Sequence, residues 1–258
     1  DCRTMRIRIN QLDLPPEYRP EQLLNAAAKK VRCEPADLTG LQTLRRSIDA
    51  RGGSPRMTVM AEADFSGSLR AGLRDVETVK PAPPVGRPVG ANFSGSRPVV
   101  IGAGPAGLMA AFELAEAGLA PLLVERGEAA APRASRVASF WRDGSFNSES
   151  NVLYGEGGAG LFSDGKLTSR SKDRRRVRRF LEVLVAGGAS PDILIDAEPH
   201  IGSDVLEVLV PALRNRIIEL GGNVRFGARL DRLEIDHGAL RGVVVSGAEI
   251  RADRCVLA

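Results

Sequence analysis

A glycine-rich turn between a β-branched run and an alanine-rich stretch constrains the fold of this chain most strongly. Residues 99–124 read VVIGAGPAGLMAAFELAEAGLAPLLV, with Gly102, Gly104 and Gly107 in the spacing G-x-G-x-x-G. Because the motif follows a predicted strand and opens a predicted helix, it indicates a Rossmann βαβ unit. We expect Gly102 to make the tight turn and Gly107 to let helix and strand pack closely. Gly104 would bring the backbone near a pyrophosphate.

The residues around this turn predict a dinucleotide site. The helix that starts at Pro105 and Ala106 would offer the free N–H groups of its first turn, beginning with that of Ala106, and a partial positive charge to the phosphates. Glu125 ends the second predicted strand, where a carboxylate can accept hydrogen bonds from a ribose diol and would repel a 2′-phosphate. The motif therefore favours FAD or NAD over NADP. The weaker alternative is a tight strand–helix turn that binds no ligand.

The segment after Glu125 favours FAD over NAD. A plain NAD-binding domain would continue with regular βαβ units, but here a polar stretch with Arg126 and Arg133 comes first. A second glycine-rich stretch comes next, and residues 221–258 then read as short strands with turns at HG and SG, which favours a β-meander. The two arginines are candidates to bind the adenosine or a phosphate, and surface charge is the equal alternative.

A different pattern precedes this α/β domain. Residues 4–13 alternate apolar and polar side chains, residues 21–33 have a helical apolar face, and two further strands come after them. The order β-α-β-β predicts a small α+β module of ferredoxin-like type. We therefore predict a small N-terminal α+β module over 1–80, a Pro/Gly-rich linker over 81–96, and an FAD-binding Rossmann-like domain with β-meander over 97–258. We expect this last domain to be incomplete at its C-terminus.

Composition sets limits on compartment and partners. The formal charge of +4 permits an anionic partner without requiring one. Three cysteines without CxxC spacing predict neither a disulfide framework nor a zinc site, and with no signal peptide they favour a cytoplasmic protein without a metal. Glu113 and Glu116 argue against a membrane span over 99–124. One Trp, two Tyr, eight Phe and no aromatic RNP-like strand argue against a nucleic-acid partner.

The second glycine-rich stretch, GEGGAGLFSDGKL at residues 155–167, has five glycines between Gly155 and Gly165. Such a stretch is either a flexible loop or a backbone that comes close to a ligand. Phe162 and Leu167 are able to anchor it, which favours the second explanation. Gly165 lies in SDGK, which we expect to be an ordinary turn.

Several longer stretches are typical of one bacterial family. They are VVIGAGPAGLMAAFELAEAGLAPLLVERG, FW at 140–141, ESNVLYGEGGAGLFSDGKLTSR and PHIGSDVL at 199–206, with RIRINQLDL and LRRSIDAR in the N-terminal module. With these stretches the chain resembles the FAD-dependent, NAD(FAD)-utilising dehydrogenases of the glutathione-reductase-like type. The late Gly-Asp segment that closes the FAD site in such flavoproteins has no match in this chain.

The resemblance implies how the chain would use FAD. It implies that Gly157, Gly158, Ala159 and Gly160 pass beside the flavin or the pyrophosphate, and that the backbone at Leu230 touches the adenine. It also implies an FAD-dependent oxidoreductase that transfers a hydride through flavin N5. A small-molecule substrate and NAD(P)H as a candidate electron partner are implied by the same resemblance. Neither the catalytic residues nor the oligomeric state are indicated.

Two other functions stay open on the sequence: a flavoprotein that modifies RNA, and an NAD-dependent dehydrogenase without flavin. Several single residues also have two explanations. Asp164 and Lys166 either face the flavin or form a solvated pair. His200 either does acid–base work or lies at a helix start, and Trp141 is expected to pack in the core.

Overall fold

The computed structural model describes residues 4–80, 95–167 and 169–258, and these residues form two compact units. Unit 1 contains the described residues up to 80 together with 169–170 and 190–199. Unit 2 contains 95–167, 171–189 and 200–258. Most of the predicted linker lies outside the described residues, so the predicted boundaries at 80 and 97 stay predictions.

Unit 1 is an antiparallel sheet with one helix. Its elements are β1 (Met5–Leu14), α1 (Pro20–Val31), β2 (Leu38–Asp49), β3 (Arg56–Phe65) and β4 (Val76–Thr78). The strand order is β2-β3-β1-β4, so β3 lies between the two strands that α1 connects. This is the split β-α-β arrangement of ferredoxin-like folds. The predicted β-α-β-β order is present, and no helix is assigned between β3 and β4 among the described residues.

The core of unit 1 lies between α1 and one face of this sheet. Ile7 and Ile9 of β1, Val59 and Ala61 of β3, and Ala27 of α1 are all fully buried. The strand residues are two apart because alternate side chains of a strand point to the same face. This period is what made β1 recognisable in the sequence.

A segment distant in sequence covers the free edge of β2. The N–H of Arg46 donates to the Ile195 carbonyl at 2.7 Å, and the N–H of Ala197 donates to the Arg46 carbonyl at 2.9 Å. The Arg46 guanidinium also pairs with Asp192 at 3.0 Å and with Asp196 at 2.5 Å. Residues 190–199 thus protect the edge of the sheet of unit 1 from pairing with another strand. No local pattern predicted this contact.

Unit 2 combines a parallel and an antiparallel sheet. Its elements are β5 (Val99–Ile101), α2 (Pro105–Glu116), β6 (Leu122–Val124), α3 (Ala130–Asp143), α4 (Arg174–Ala186), α5 (Ser203–Glu219), β7 (Asn223–Arg225), β8 (Leu230–Asp236), β9 (Ala239–Val245), β10 (Ala248–Arg251) and β11 (Cys255–Leu257). The parallel sheet has the order β11-β5-β6-β7, and the antiparallel sheet has the order β10-β9-β8. The predicted Rossmann-like fold with a β-meander is confirmed.

The meander is smaller than predicted. Only β8, β9 and β10 form it, whereas β7 and β11 join the parallel sheet on its two sides. The meander strands are joined by tight turns at His237–Gly238 and Ser246–Gly247, where all four residues have positive φ. This is the geometry of two-residue hairpins of type I′.

The apolar stretch over 99–124 folds as β5, α2 and β6. Val99, Val100, Leu123 and Val124 are fully buried, which explains their uninterrupted apolar run, because strands of a parallel sheet are covered on both faces. Among the described residues no helix combines the length and the apolar composition that a bilayer crossing requires.

Candidate nucleotide-binding site

Two glycines of the nucleotide loop, residues 102–107, are required by the protein itself. Gly102 has φ +96°, and its N–H donates to the Val124 carbonyl at 2.8 Å, which ties the end of β5 to β6. A Cβ on Gly102 would lie 2.7 Å from the carbonyl oxygen of Ala258. A Cβ on Gly107 would overlap the carbonyl oxygen of Gly102. Packing alone therefore excludes side chains at both positions.

Gly104 is different. It is the N-cap of α2 with an ordinary φ of −70°, and a Cβ there would meet no heavy atom within 4 Å. Neither its backbone conformation nor its protein neighbours require glycine. The first N–H groups of a helix lack intrahelical acceptors, so those of Ala106 and Gly107 begin α2 next to this open space. The geometry fits a bound pyrophosphate, which needs both the free N–H groups and the space.

Glu125 is buried, with 5% of its surface exposed, and it connects two loops. Its Oε2 accepts the N–H of Ala103 at 2.7 Å, and its Oε1 accepts the N–H of Gly127 at 2.8 Å. A carboxylate has about four acceptor positions, so one on each oxygen is left for a ribose diol. The predicted ribose contact stays a prediction, but Glu125 also has a structural role that the sequence did not indicate.

The second glycine-rich stretch packs on the nucleotide loop. The N–H of Gly157 donates to the Ala103 carbonyl at 2.8 Å, and residues Gly158–Phe162 form a 3₁₀ helix. A Cβ on Gly158 would lie 3.3 Å from Cδ of Pro105, and φ of Gly158 is +58°. The stretch is therefore a hydrogen-bonded neighbour of the loop that would hold the pyrophosphate.

The other two predicted residues of this stretch lie in the same 3₁₀ helix. Ala159 is exposed, and a Cβ on Gly160 would come no closer than 3.8 Å to its nearest neighbour, Pro105. Both positions have room for a ligand. Their contact with FAD stays a prediction.

The expectation of an ordinary turn at Gly165 is wrong. Gly165 has φ +74°, and a Cβ would overlap the carbonyl oxygen of Ile201. The N–H of Ile201 donates to the Gly165 carbonyl at 2.9 Å, so the two backbones are in direct contact. The close approach of residue 201 has no signature in the sequence SDGK.

Arg133 is fully buried and holds backbone rather than solvent. Its guanidinium donates to the carbonyls of Asn151 at 2.8 Å, Val152 at 2.8 Å and Glu156 at 2.6 Å. It also lies 4.8 Å from the centre of the Phe162 ring, on which it stacks. Burial lowers the pKa of Arg133 to about 10. The residue orders the segment that leads into the glycines, and its predicted contact with adenosine or phosphate stays a prediction.

The other two predicted binding residues are also engaged by the protein. Arg126 donates to Glu149 at 2.9 Å and stacks on Tyr154 at 4.6 Å, and the hydrogen bond to Glu149 raises the pKa of Arg126. Leu230 begins β8 opposite Val245, and its half-buried side chain packs in the apolar cluster of β5, β6 and β9. Arg126 lies just after the end of β6, and its contact with adenosine or phosphate stays a prediction. The contact of the Leu230 backbone with adenine also stays a prediction.

Sequence reasoning missed a buried ion pair beside this site. Glu156 is fully buried, and its Oε2 accepts the N–H of Ala130 at 2.7 Å and a guanidinium N–H of Arg214 at 2.9 Å. Its Oε1 has no hydrogen-bond partner among the described residues. Burial raises the pKa of Glu156, although the hydrogen bond from Ala130 and the charge of Arg214 act in the opposite direction. The sequence signal that could have indicated this buried carboxylate is the single Glu among small residues in GEGGAG.

The remaining single-residue candidates are resolved in different ways. Lys166 pairs with Asp164 at 2.7 Å with both side chains largely exposed, as expected of a solvated pair. Trp141 is 72% exposed, so its predicted place in the core is wrong, because it lies on the outer side of α3. His200 is exposed, lies three residues before the start of α5 and forms an antiparallel β-bridge with Lys166, and both explanations of it stay predictions. Across residues 4–80, 95–167 and 169–258 no His, Cys, Asp and Glu cluster able to hold a metal is present.

Comparisons with known proteins agree with this geometry. Residues 97–153 match a family described as an FAD binding domain, and residues 6–64 match a domain of unknown function, DUF8436. An uncharacterized protein of Clostridium beijerinckii (strain ATCC 51743 / NCIMB 8052) is 37% identical over 268 residues. The match covers 98% of this chain and 48% of that protein, so the chain spans about half the length of its relative. FAD is the cofactor that the family match indicates, and the nucleotide loop fits it.

Solved structures resemble the chain at low identity. Glycine oxidase from Bacillus cereus ATCC 14579 is 14% identical, with a TM-score of 0.41 over 62% of this chain and 55% of its own. L-amino acid deaminase from Proteus vulgaris is 17% identical, with a TM-score of 0.35 over 65% of this chain and 48% of its own. At these levels the matches assign neither a substrate nor a reaction.

Proposed function

We propose that the protein is an FAD-dependent oxidoreductase that binds FAD through unit 2 and acts on a small molecule. The observation that carries the proposal is the open space at Gly104. Glycine at 102 and 107 is explained by packing, whereas the space beside Gly104, at the N-terminus of α2, is open to a ligand that comes close to the backbone. When bound, FAD supplies a hydride acceptor at flavin N5.

Several residues of this chain would hold the cofactor. The N–H groups at the start of α2 would donate to the pyrophosphate, and the positive end of the helix dipole would favour its charge. The free acceptor positions of Glu125 would take the ribose hydroxyls. Gly157 and Gly158 lie against Ala103 and Pro105, which would fix the depth of the pyrophosphate site.

The negative charge of Glu125 also favours FAD over NADP at this site. A buried carboxylate at Glu125 would repel the 2′-phosphate of NADP, so this site would take FAD, and NAD(P)H would act as an electron donor from elsewhere. The family match over residues 97–153 supports FAD over an NAD-dependent enzyme without flavin.

Two variants at one position test the proposal. Gly104→Asp and Gly104→Asn add side chains of the same shape, and both residues are favourable at an N-cap, so each variant should fold at least as stably as the parent. The Asp variant adds a negative charge beside the pyrophosphate. We expect bound flavin to fall in the order parent, Asn, Asp, with Asp lower than the parent by about tenfold or more.

Flavin is measured by absorbance of the purified protein and by fluorescence after heat release, and thermal unfolding checks the fold. Full flavin in a folded Gly104→Asp protein would show that the pyrophosphate does not lie at this loop. A colourless parent protein that takes up no added FAD but binds NAD would overturn the flavin assignment in favour of the NAD-dependent alternative.

A further inference from the structure

Unit 1 contains a cleft of about 580 Å³, within the range of small-molecule sites. It lies between the C-terminal end of α1, the C-terminal part of β1 and the loop before β4. Gln11, Lys29, Arg32, Arg74 and Asp75 are among the residues that line it. The cleft belongs to unit 1 alone, so a ligand bound there is independent of the proposed function of unit 2.

The backbone around this cleft is unusual. Gln11 has φ +53°, Arg32 has +61° and Asp75 has +63°. In the described part of unit 1, these are all the non-glycine residues with positive φ, and all three line the cleft. Left-handed backbone is unfavourable for residues with a Cβ, and such residues concentrate at functional sites.

Local rules favour glycine at two of these positions. Arg32 is the left-handed residue that ends α1, where glycine is preferred. Gln11 lies in the bulge of β1, between the paired residues Ile9 and Leu12, where a left-handed residue is usually glycine. Glycine occupies fifteen of the described positions with positive φ, whereas Gln11 and Arg32 have long polar side chains at such positions. Both side chains line the cleft, where they are available to a ligand.

Part of the cleft wall is held by an internal ion pair. Lys30 pairs with Asp75 at 3.0 Å and donates to the Gln11 carbonyl at 3.1 Å. Asp13, which also lines the cleft, accepts the hydroxyl of Thr58 at 3.2 Å. The two contacts of Lys30 neutralise its charge and connect the bulge of β1 to the loop before β4.

Three cations are left for a ligand. Lys29, Arg32 and Arg74 are exposed and form no ion pair within the described residues. Arginine presents a planar fork of N–H donors that matches phosphate oxygens in pairs, and lysine adds a mobile point charge. Two arginines and a lysine around one cleft of this size suit a dianionic group attached to a larger body.

We propose that this cleft binds a small organic phosphate of nucleotide size, with Arg32 and Arg74 as the phosphate-binding residues. Lys29 lies on the rim and adds attraction. The left-handed backbone at Arg32 is strained, and this strain is the local cost of the site.

The test separates binding from folding with a substitution that should improve folding. Arg32→Gly removes the guanidinium and relieves the left-handed strain, so it should raise Tm while lowering affinity about tenfold or more. His237→Gly is the matched control, because His237 has φ +48° in a hairpin of unit 2 and is outside the cleft. It should also raise Tm and leave affinity unchanged. Arg74→Gln should lower affinity with Tm unchanged.

Binding is measured by isothermal titration of the whole chain with uridine diphosphate, pyrophosphate and citrate, and the heat that Arg32→Gly and Arg74→Gln remove is assigned to the cleft of unit 1. We expect both phosphate probes to bind, with uridine diphosphate the tighter. The proposal is overturned if neither phosphate probe binds at millimolar concentration, if Arg32→Gly and Arg74→Gln bind like the parent, or if citrate binds as tightly as pyrophosphate. These two substitutions lie in unit 1 and leave the nucleotide loop of unit 2 unchanged, so their comparison with the parent does not depend on flavin binding there.

Discussion

At the nucleotide loop of unit 2, Gly102 has φ +96° and no side chain, whereas at the cleft of unit 1 Arg32 has φ +61° and a long cationic one. Both positions need a left-handed backbone. In the loop glycine is the least strained residue, and a side chain would collide with the carbonyl oxygen of Ala258. In the cleft we propose that the side chain itself binds the ligand, so that strain is tolerated there. At these two positions the residue at positive φ therefore separates a requirement of the fold from a proposed binding side chain.

A second contrast lies among the glycines of unit 2. At Gly107 and Gly165 an added Cβ would overlap a backbone carbonyl, whereas at Gly104 it would enter open space. The first two glycines are needed by the fold, and the third is the one that we propose lies against a ligand. Substitutions at these positions should therefore separate into losses of stability and losses of flavin.

The largest effect is expected for Gly165→Ala. Its Cβ would overlap the Ile201 carbonyl, so the two backbones must separate and their hydrogen bond is lost, at about 4 kcal/mol of unfolding free energy. Gly144→Ala is the control, because Gly144 has φ +78° with no atom near its Cβ and should lose only about 1 kcal/mol. Denaturant unfolding measures both. Equal losses would show that Gly165 is an ordinary turn after all.

A smaller loss is expected for Glu125→Gln. Both carboxylate oxygens accept a buried backbone N–H, and the amide replaces one acceptor with a donor, so about 2 kcal/mol of stability should be lost. Flavin affinity should fall as well, because the loop geometry and the ribose acceptor both change. Chemical unfolding without FAD isolates the first effect. If the variant is as stable as the parent, Glu125 serves only the ribose.

The smallest effect concerns the buried Glu156, whose native pKa is raised above its usual value of 4.5 by burial. Below 4.5 the carboxyl is protonated in both states. Between that value and the raised native pKa the unfolded chain releases the proton and the native protein keeps it, so stability falls as pH rises through this window. Above the window the loss is complete.

Glu156→Gln removes this titration. The difference in unfolding free energy between parent and variant should therefore favour the parent more at about pH 4 than at about pH 8. Denaturant unfolding at several pH values measures it. A difference that changes in the opposite direction would mean that the ion pair with Arg214 outweighs the burial of the carboxyl.

Several elements could be predicted from the sequence because their causes are local. The apolar runs of β5 and β6, the glycines at 102 and 107 and the carboxylate at the end of β6 all result from spacing along one βαβ unit. The alternation in β1 and the helical face of α1 result from the two periods of regular structure. Each of these signals lies within a short window of residues, where neighbours in sequence are neighbours in space.

Only the tertiary structure decided the contacts between distant segments. Residues 195–197 pair with Arg46, the Ile201 carbonyl excludes a side chain at Gly165, and Arg214 of α5 meets Glu156. The hydrogen bonds from Arg133 to the carbonyl groups of residues 151, 152 and 156 also join distant parts of the chain. Such contacts depend on how the helices and strands pack together. The residues that meet are far apart in the chain, and no periodic sequence pattern marks them. The sequence by itself therefore determined the Rossmann unit and its nucleotide loop, and packing decided what surrounds that loop.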